Sequence, residues 1–363
     1  MKLAIVAPLV SPIREPQRGG SQAFVSELAR GLVRRGHDVH LFAASGSAVQ
    51  GVEVIDTGVD HGDLAATLYR PSGAAARSTA ADRAFARVYE LVREGRYDVV
   101  HNHAFDAPAV SLASTQSAPV IHTLHLPPDE EVAEALRGAV RRHPAPVVAC
   151  VSASQANAWR RVAPVDAVLP PLIPTRKIRF SPTAGSGAVF AGRFSPEKGA
   201  ADAIAIARLA RVEIDLFGDD YDANYARERI DPRRHDPGVA VHAAVPQPAV
   251  WEAMARAAVV ICPASWEEPF GMVAAEAQAC GTPVVAYRRG ALPEVIVNGR
   301  TGFLVDPGDH EGAGDAVRRA PALDRAGCRR HAESDLDIES SLDAHESLYG
   351  RVGSRGLAGR TGA

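Results

Sequence analysis

Short β-branched runs alternate with amphipathic stretches along almost the whole chain, and this pattern narrows the fold more than any other feature. Strands separated by helices pair in parallel through βαβ crossovers. In the first half the runs are Lys2–Ala7, Asp38–Ala43, Glu53–Asp56, Asp98–His101, Pro119–Thr123 and Val147–Val151. They are apolar on both faces, as strands covered by helices on each side must be. Between the first two runs, Ser21 can cap a helix whose apolar stripe is Phe24, Val25, Leu28, Leu32 and Val33, with Gly36 as its stop. The segment Ala163–Gly187 is rich in Pro, Ser and Thr and reads as the crossing between domains. A second series follows: Ala188–Ala191, Val212–Phe217, Val239–His242, Val259–Pro263, Pro283–Tyr287 and Phe303–Val305. The expected architecture is two doubly wound αβα domains, residues 1–172 and 173–339. Leu342–Val352 reads as one more amphipathic helix that crosses back to the first domain, and Gly353–Ala363, rich in Gly and Arg, as a disordered tail.

Composition removes several classes of function. With 363 residues the chain is about two and a half typical domains long. Its 46% hydrophobic and 23% charged residues make an ordinary globular balance. A net charge of −3 leaves no general basic field for nucleic acid. Cys150, Cys262, Cys280 and Cys328 lie far apart, with no Cys-x-x-Cys and no His at metal spacing. That argues against a disulfide framework or a zinc site and fits a reducing cytosol. The apolar start, Met1–Val10, is too short for a signal peptide, and no run reaches membrane-spanning length.

Two stretches of the second half concentrate chemistry. In Pro263-Ala-Ser-Trp-Glu-Glu-Pro-Phe-Gly271 a strand gives way to a loop and then to a helix beginning near Phe270–Gly271. Gly271 permits close approach of a ligand, and the first N–H groups of the helix favour a phosphate. Glu268 precedes this helix and Glu276 lies inside it. Eight helical residues would separate them by about 12 Å, roughly the span from sugar to ribose in a sugar nucleotide. The plain alternative is a pair of solvated helix-end acids. The second stretch is Phe190-Ala-Gly-Arg-Phe-Ser-Pro-Glu-Lys-Gly199, a strand followed by Arg193 and Lys198 in a turn. A planar guanidinium and a point-charge ammonium together suit a diphosphate. Only Lys2, Lys177 and Lys198 of the forty basic residues are lysines, which weighs against Lys198 being an ordinary surface charge.

Weaker signals complete the set. The long loop Pro8–Gly20 carries Arg14, Arg18 and the pair Gly19-Gly20, but no G-x-G-x-x-G. His101, His103, His122 and His125 sit at strand ends that share one sheet edge. His101 reads as a satisfied core histidine and His125 as a polar cleft residue. A metal reading of His101, His103 and His125 lacks a carboxylate set. Asp219-Asp220-Tyr221-Asp222 contains an Asp-x-Asp that could take Mg²⁺ but reads as a solvated turn. The Arg77–Arg96 stretch has a modest basic excess, the kind that docks on anionic lipid, with a solvated helix face as its plain alternative.

These motifs, in this order, resemble glycosyltransferase family 4. The resemblance rests on Gly19-Gly20 with Leu28–Val39, Asp98–His103, Thr123-Leu-His125, Val151–Ser154, Gly192-Arg193 with Glu197-Lys-Gly199, Glu268-x7-Glu276, Gly290–Ile296 and Gly299–Val305. It departs from the family at Ala291, where a second Gly is common, and at the Asp219–Asp222 loop. The resemblance implies a GT-B fold, two Rossmann-like αβα domains with parallel sheets facing a central cleft, the first binding the acceptor and the second the donor. It implies a retaining hexosyltransferase that takes a nucleotide diphosphate sugar (UDP- or GDP-linked) and needs no other cofactor and no metal. Arg193 and Lys198 would bind the diphosphate and Glu276 the ribose. Glu268 would read the sugar hydroxyls, and the N–H groups of Phe270, Gly271, Met272 and Val273 would flank the phosphates. His125 would contact the transferred sugar, while Gly19 and Gly20 would line the donor phosphate and acceptor side. The acceptor would be a hydroxyl of a small molecule, lipid or glycan. The expected location is the cytoplasm, with peripheral contact at the inner membrane face left open. Alternatives on the same scaffold are a sugar phosphorylase, a nucleotide-sugar epimerase and an inactive nucleotide-sugar-binding subunit.

Overall fold

The computed structural model describes residues 1–15, 19–62, 64, 74–171 and 173–360. Among these the chain divides into two compact units, 1–172 with 341–363, and 173–340.

The first unit holds a seven-stranded parallel sheet of order β3-β2-β1-β4-β5-β6-β7. Its strands are β1 (Lys2–Val6), β2 (Asp38–Ala43), β3 (Glu53–Asp56), β4 (Val99–Asn102), β5 (Val120–Leu124), β6 (Val147–Cys150) and β7 (Ala167–Val168). The apolar runs fall on the first six, shifted by at most a residue or so. β4 and β5 are buried at every position, as two-sided strands require. β7 lies inside the Pro-rich segment expected to be only a crossing. Two residues paired to β6 at the sheet edge leave too short a pattern to read. Helix α1 (Gly20–Arg34) buries Phe24, Val25, Leu28 and Leu32. Its cap is not Ser21, as expected, but the extended Gly19 two residues earlier, and Ser21 Oγ donates to Gln22 Oε1 instead.

The second unit holds a six-stranded parallel sheet of order β10-β9-β8-β11-β12-β13. The strands are β8 (Ala188–Ala191), β9 (Ile214–Phe217), β10 (Val239–His242), β11 (Val259–Cys262), β12 (Val284–Tyr287) and β13 (Gly302–Val305). Helices α2 (Ala200–Ala210), α3 (Gln247–Arg256) and α4 (Met272–Ala279) follow β8, β10 and β11 in turn. The helix Arg325–Asp335, which buries Cys328 and Ala332, is fastened by Arg325. Its buried guanidinium donates to the carbonyls of Ser181, Ala257 and Ala255 and to Thr282 Oγ1.

The last helix, α5 (Ile338–Arg360), closes the first unit. It is longer than the expected Leu342–Val352, and its final turns occupy most of the stretch expected to be a disordered tail. Once a helix is nucleated each further residue costs little, and the Arg, Leu and Ala between Gly353, Gly356 and Gly359 are good formers. Residues 361–363 of that tail lie outside the described residues. The helix is bound to α1 by Arg35, which donates to Asp343 and Glu346, and by His37 Nε2, 2.8 Å from Glu346 Oε1.

Both sheets reverse their order beside the first strand, at β1/β4 and at β8/β11, which is where open α/β sheets leave a crevice. In the second unit Gly199 sets the approach to that point. It has φ +74°, and a Cβ there would stand 2.4 Å from the Pro263 carbonyl oxygen. Gly199→Ala is therefore expected to cost about 2 kcal/mol or more of stability, from left-handed strain together with backbone overlap. Urea unfolding of the variant against the wild type measures it, and equal midpoints would contradict this close approach.

Candidate active site

In the second unit the two loops that leave the switch point carry the charged residues. The loop after β8 runs from Gly192 through Arg193 to Lys198, then into α2. The loop after β11 carries Trp266, Glu267 and Glu268 to Gly271, then into α4. The Ser265 N–H donates to the Glu197 carbonyl at 3.0 Å, which ties one loop to the other. Lys198 Nζ donates to Glu268 Oε2 at 2.7 Å, and Trp266 Nε1 donates to the same oxygen at 2.7 Å. The ammonium also lies 4.8 Å from the centre of the Trp266 ring. Arg193 donates to Glu197 Oε1 at 3.2 Å and lies over the Tyr221 ring at 4.1 Å. With side-chain exposures of 23% for Lys198 and 13% for Glu268, neither is a freely solvated surface charge.

The helix start has the form its sequence promised. Gly271 adopts φ +101°, and a Cβ there would meet Leu292 Cδ2 at 2.8 Å, so both conformation and space call for glycine. Phe270 is buried ahead of it, and Met272 and Val273 open α4, where a helix offers N–H groups without intrahelical acceptors. Glu276 is not a solvated helix-end acid. It is buried, accepts from Gln247 Nε2 at 2.6 Å, and burial raises its pKa to about 7. The structure thus joins Lys198 to Glu268, while Glu276 is held separately by Gln247 from α3. Glu268 is fixed through its backbone as well, its carbonyl accepting from the Ala291 N–H at 2.8 Å. Ala291 is fully buried, so this departure from a Gly pair is accommodated.

In the first unit Gly19 and Gly20 form the cap and first residue of α1 after the long β1 loop. Arg14 of that loop is exposed, and Arg18 lies outside the described residues. The histidines are brought together. His101 bonds Tyr349 Oη and Thr123 Oγ1, each at 2.7 Å, and so is the satisfied core histidine expected. His103 Nδ1 lies 3.0 Å from His125 Nε2, and His122 Nδ1 lies 3.1 Å from Asn102 Nδ2. His125 is more enclosed than a cleft residue need be, at 8% exposure and edge-on to Phe24 at 5.1 Å. A fifth ring, His345 of α5, lies 5.9 Å from both Phe24 and His101.

Residues 18–177 match the family described as Glycosyltransferase Family 4, and residues 175–330 match Glycosyl transferases group 1. A D-inositol 3-phosphate glycosyltransferase of Arthrobacter sp. (strain FB24) is 30% identical over 84% of this chain and 83% of its own. The chain belongs to glycosyltransferase family 4. Its fold is GT-B. Among solved structures, sucrose-phosphate synthase from Thermosynechococcus elongatus superposes with a TM-score of 0.80 at 19% identity, over 98% of this chain and 100% of that one. Anabaena HepE in complex with UDP-glucose gives 0.74 at 20% identity, over 96% and 100%.

Sequence reasoning missed several partners in this glycosyltransferase. Trp266 stood in a motif already singled out, but nothing local said that its indole would bond Glu268. Gln247 follows Pro246 at a helix start and gives no signal of its own. His345 and Tyr349, four apart on one helix, are a pattern that could have been read as one face. The Asp219–Asp222 loop is the turn expected, since Asp222 caps a short helical turn and Asp220 pairs with Arg234. Among the described residues no group of three or more His, Cys, Asp or Glu could hold a metal ion. No described helix is long and apolar enough to cross a membrane. The expected Arg77–Arg96 helix is present as Ala74–Gly95, with Arg87 paired to Glu90, while the Arg77 side chain lies outside the described residues.

The five buried histidines make the glycosyltransferase acid-sensitive. Burial holds His122 and His345 at about 4 and His125 at about 3. His101 and His103 are pushed well below the ordinary value, by burial and then by neighbouring histidines. Because these folded-state values lie below the unfolded value of about 6.5, the unfolded chain binds more protons in acid. Stability is complete above that pH and falls on acidification, by about 1.4 kcal/mol per pH unit for each histidine involved. Glu276 has the opposite sign, losing stability as pH rises through 4.5 towards about 7, but it is a single group. Urea unfolding at pH 7.5 and pH 5 should show a marked loss at the lower value. Equal stabilities would contradict neutral burial of the cluster.

Proposed function

We propose that the enzyme transfers a hexosyl-type sugar from a nucleotide diphosphate sugar to an acceptor hydroxyl with retention of configuration. The observation that carries this is the Lys198–Glu268 pair beside the Gly271 start of α4, with Glu276 buried farther along the same helix. The start of α4 offers free N–H groups for a diphosphate, the β8 loop brings the Lys198 ammonium beside it, and Glu268 and Glu276 supply carboxylates for pairs of hydroxyls. Arg193 and Lys198 take the diphosphate, Glu276 the ribose, and Glu268 the sugar ring. In the first unit His125, Gly19 and Gly20 serve the transferred sugar and the acceptor. The UDP-glucose complex of HepE supports a nucleotide-sugar donor, and the name of the Arthrobacter relative makes an inositol phosphate the first acceptor to try.

In the proposed step the bond from the anomeric carbon to the diphosphate oxygen breaks, with its electron pair staying on the diphosphate. The acceptor oxygen bonds that carbon on the same face, and its proton passes to the departing diphosphate. Arg193 and Lys198 stabilise the charge that develops on the leaving group.

The test uses UDP-glucose and GDP-mannose with D-inositol 3-phosphate. Lys198→Ala should lower turnover by about 100-fold or more, with a much smaller loss of UDP or GDP affinity. An unchanged rate would remove Lys198 from the chemistry. An inverted anomeric centre in the glucosylated product, read by NMR, would overturn retention.

A further inference from the structure

We propose that Trp266 is the positioning residue for Glu268, and that its indole N–H selects which carboxylate oxygen faces the donor sugar. The proposal rests on the reading of Glu268 as the group that contacts the sugar. Glu268 Oε2 accepts twice, from Lys198 Nζ and from Trp266 Nε1, both at 2.7 Å, while Oε1 takes no donor among the described residues. An oxygen already holding an ammonium and an indole N–H has little acceptor capacity left. Oε1 is then the oxygen presented to ligand hydroxyls.

The two donors are not equivalent. Lys198 is a flexible point charge that a diphosphate can draw away, whereas the indole is rigid and lies only two residues from Glu268. Trp266 is also anchored, because Ser265 bonds the Glu197 carbonyl through its N–H and the Pro196 carbonyl through Oγ, at 3.0 and 3.3 Å. When Lys198 turns to a phosphate, the Trp266 bond is the one that remains to hold the carboxylate. The indole face keeps the ammonium within 4.8 Å of its centre, so one side chain borders both partners. Trp266 is half-buried, and replacing it does not open a core.

Trp266→Phe removes the N–H and keeps a ring under Lys198. In the full-length enzyme, kcat/KM for UDP-glucose or GDP-mannose, whichever the wild type uses, should fall about tenfold, as expected for losing a hydrogen bond to a charged group. The affinity for UDP and GDP, which lack the sugar, should stay the same by calorimetry. A kcat/KM equal to the wild type overturns the proposal. So does a parallel loss of nucleotide affinity, which would make Trp266 a prop for Lys198 alone. The three tryptophans give three indole N–H cross-peaks in a proton–nitrogen correlation spectrum, and Trp266→Phe identifies one of them. Glu268→Gln should shift that cross-peak, and its failure to move would deny the bond itself. Failure of the underlying reading has a different signature. In that case wild-type enzyme binds neither UDP nor GDP, or Glu276→Ala leaves their binding unaltered, and the catalytic half of the proposal falls whichever way the cross-peak moves.

Discussion

A parallel sheet imposes one rule on every connection: each strand must be re-entered from the same end, so the loops that leave the strands collect at a single edge. Where the strand order reverses, two neighbouring loops are drawn to opposite faces and a gap opens between them. Both units obey this rule. In the second, the loops at β8 and β11 carry Arg193, Lys198, Trp266 and Glu268. In the first, the loops at β1 and β4 carry Gly19 and His103. The position of these side chains, and of the chemistry proposed for them, follows from topology.

What topology does not fix is the charge arrangement, and here the energetics run against simple stability. A partly buried ion pair such as Lys198–Glu268 recovers little of the hydration its members give up. On the donor-binding role proposed above, its value is preparation. Both groups are already partly desolvated and held at 2.7 Å, so a ligand that brings its own anion and its own hydroxyls would replace one bonded arrangement with another. The same logic applies to Glu276. Burial raises its pKa to about 7, and the Gln247 amide is the hydrogen-bond donor that a pair of hydroxyls would have to match.

How far the sequence could be read depends on the range of the interactions involved. Strand runs were legible because burial on both faces of the inner strands leaves long apolar words and the edge strands β3 and β10 keep β-branched ones, and only the two-residue β7 escaped. Helix ends were less legible. Ser21 looks like a cap, yet the chain turns two residues sooner, at the extended Gly19, with no side-chain cap bond. Arg193, Lys198, Glu268 and Glu276 were visible because each sits in a local motif with distinctive spacing. Their neighbours were not. Lys198 and Glu268 meet across 70 residues, Gln247 and Glu276 across 29, and His101 and Tyr349 across 248. No local pattern records such pairings.

The last of these pairs explains why the first unit is discontinuous in sequence. Tyr349 bonds His101 at the centre of the sheet, Glu346 takes Arg35 and His37, and Leu342 fills the space above Gly31, where a Cβ would come within 2.7 Å of it. These contacts bring α5 against α1 and against the histidine cluster, so that His345 becomes the cluster's fifth ring. Rings of this kind, buried and neutral, contribute packing and directed hydrogen bonds but tolerate no net charge. The chain's final helix is therefore part of the environment that keeps His125 neutral. The first unit cannot reproduce that environment from residues 1–172 alone, however completely its sheet is encoded there.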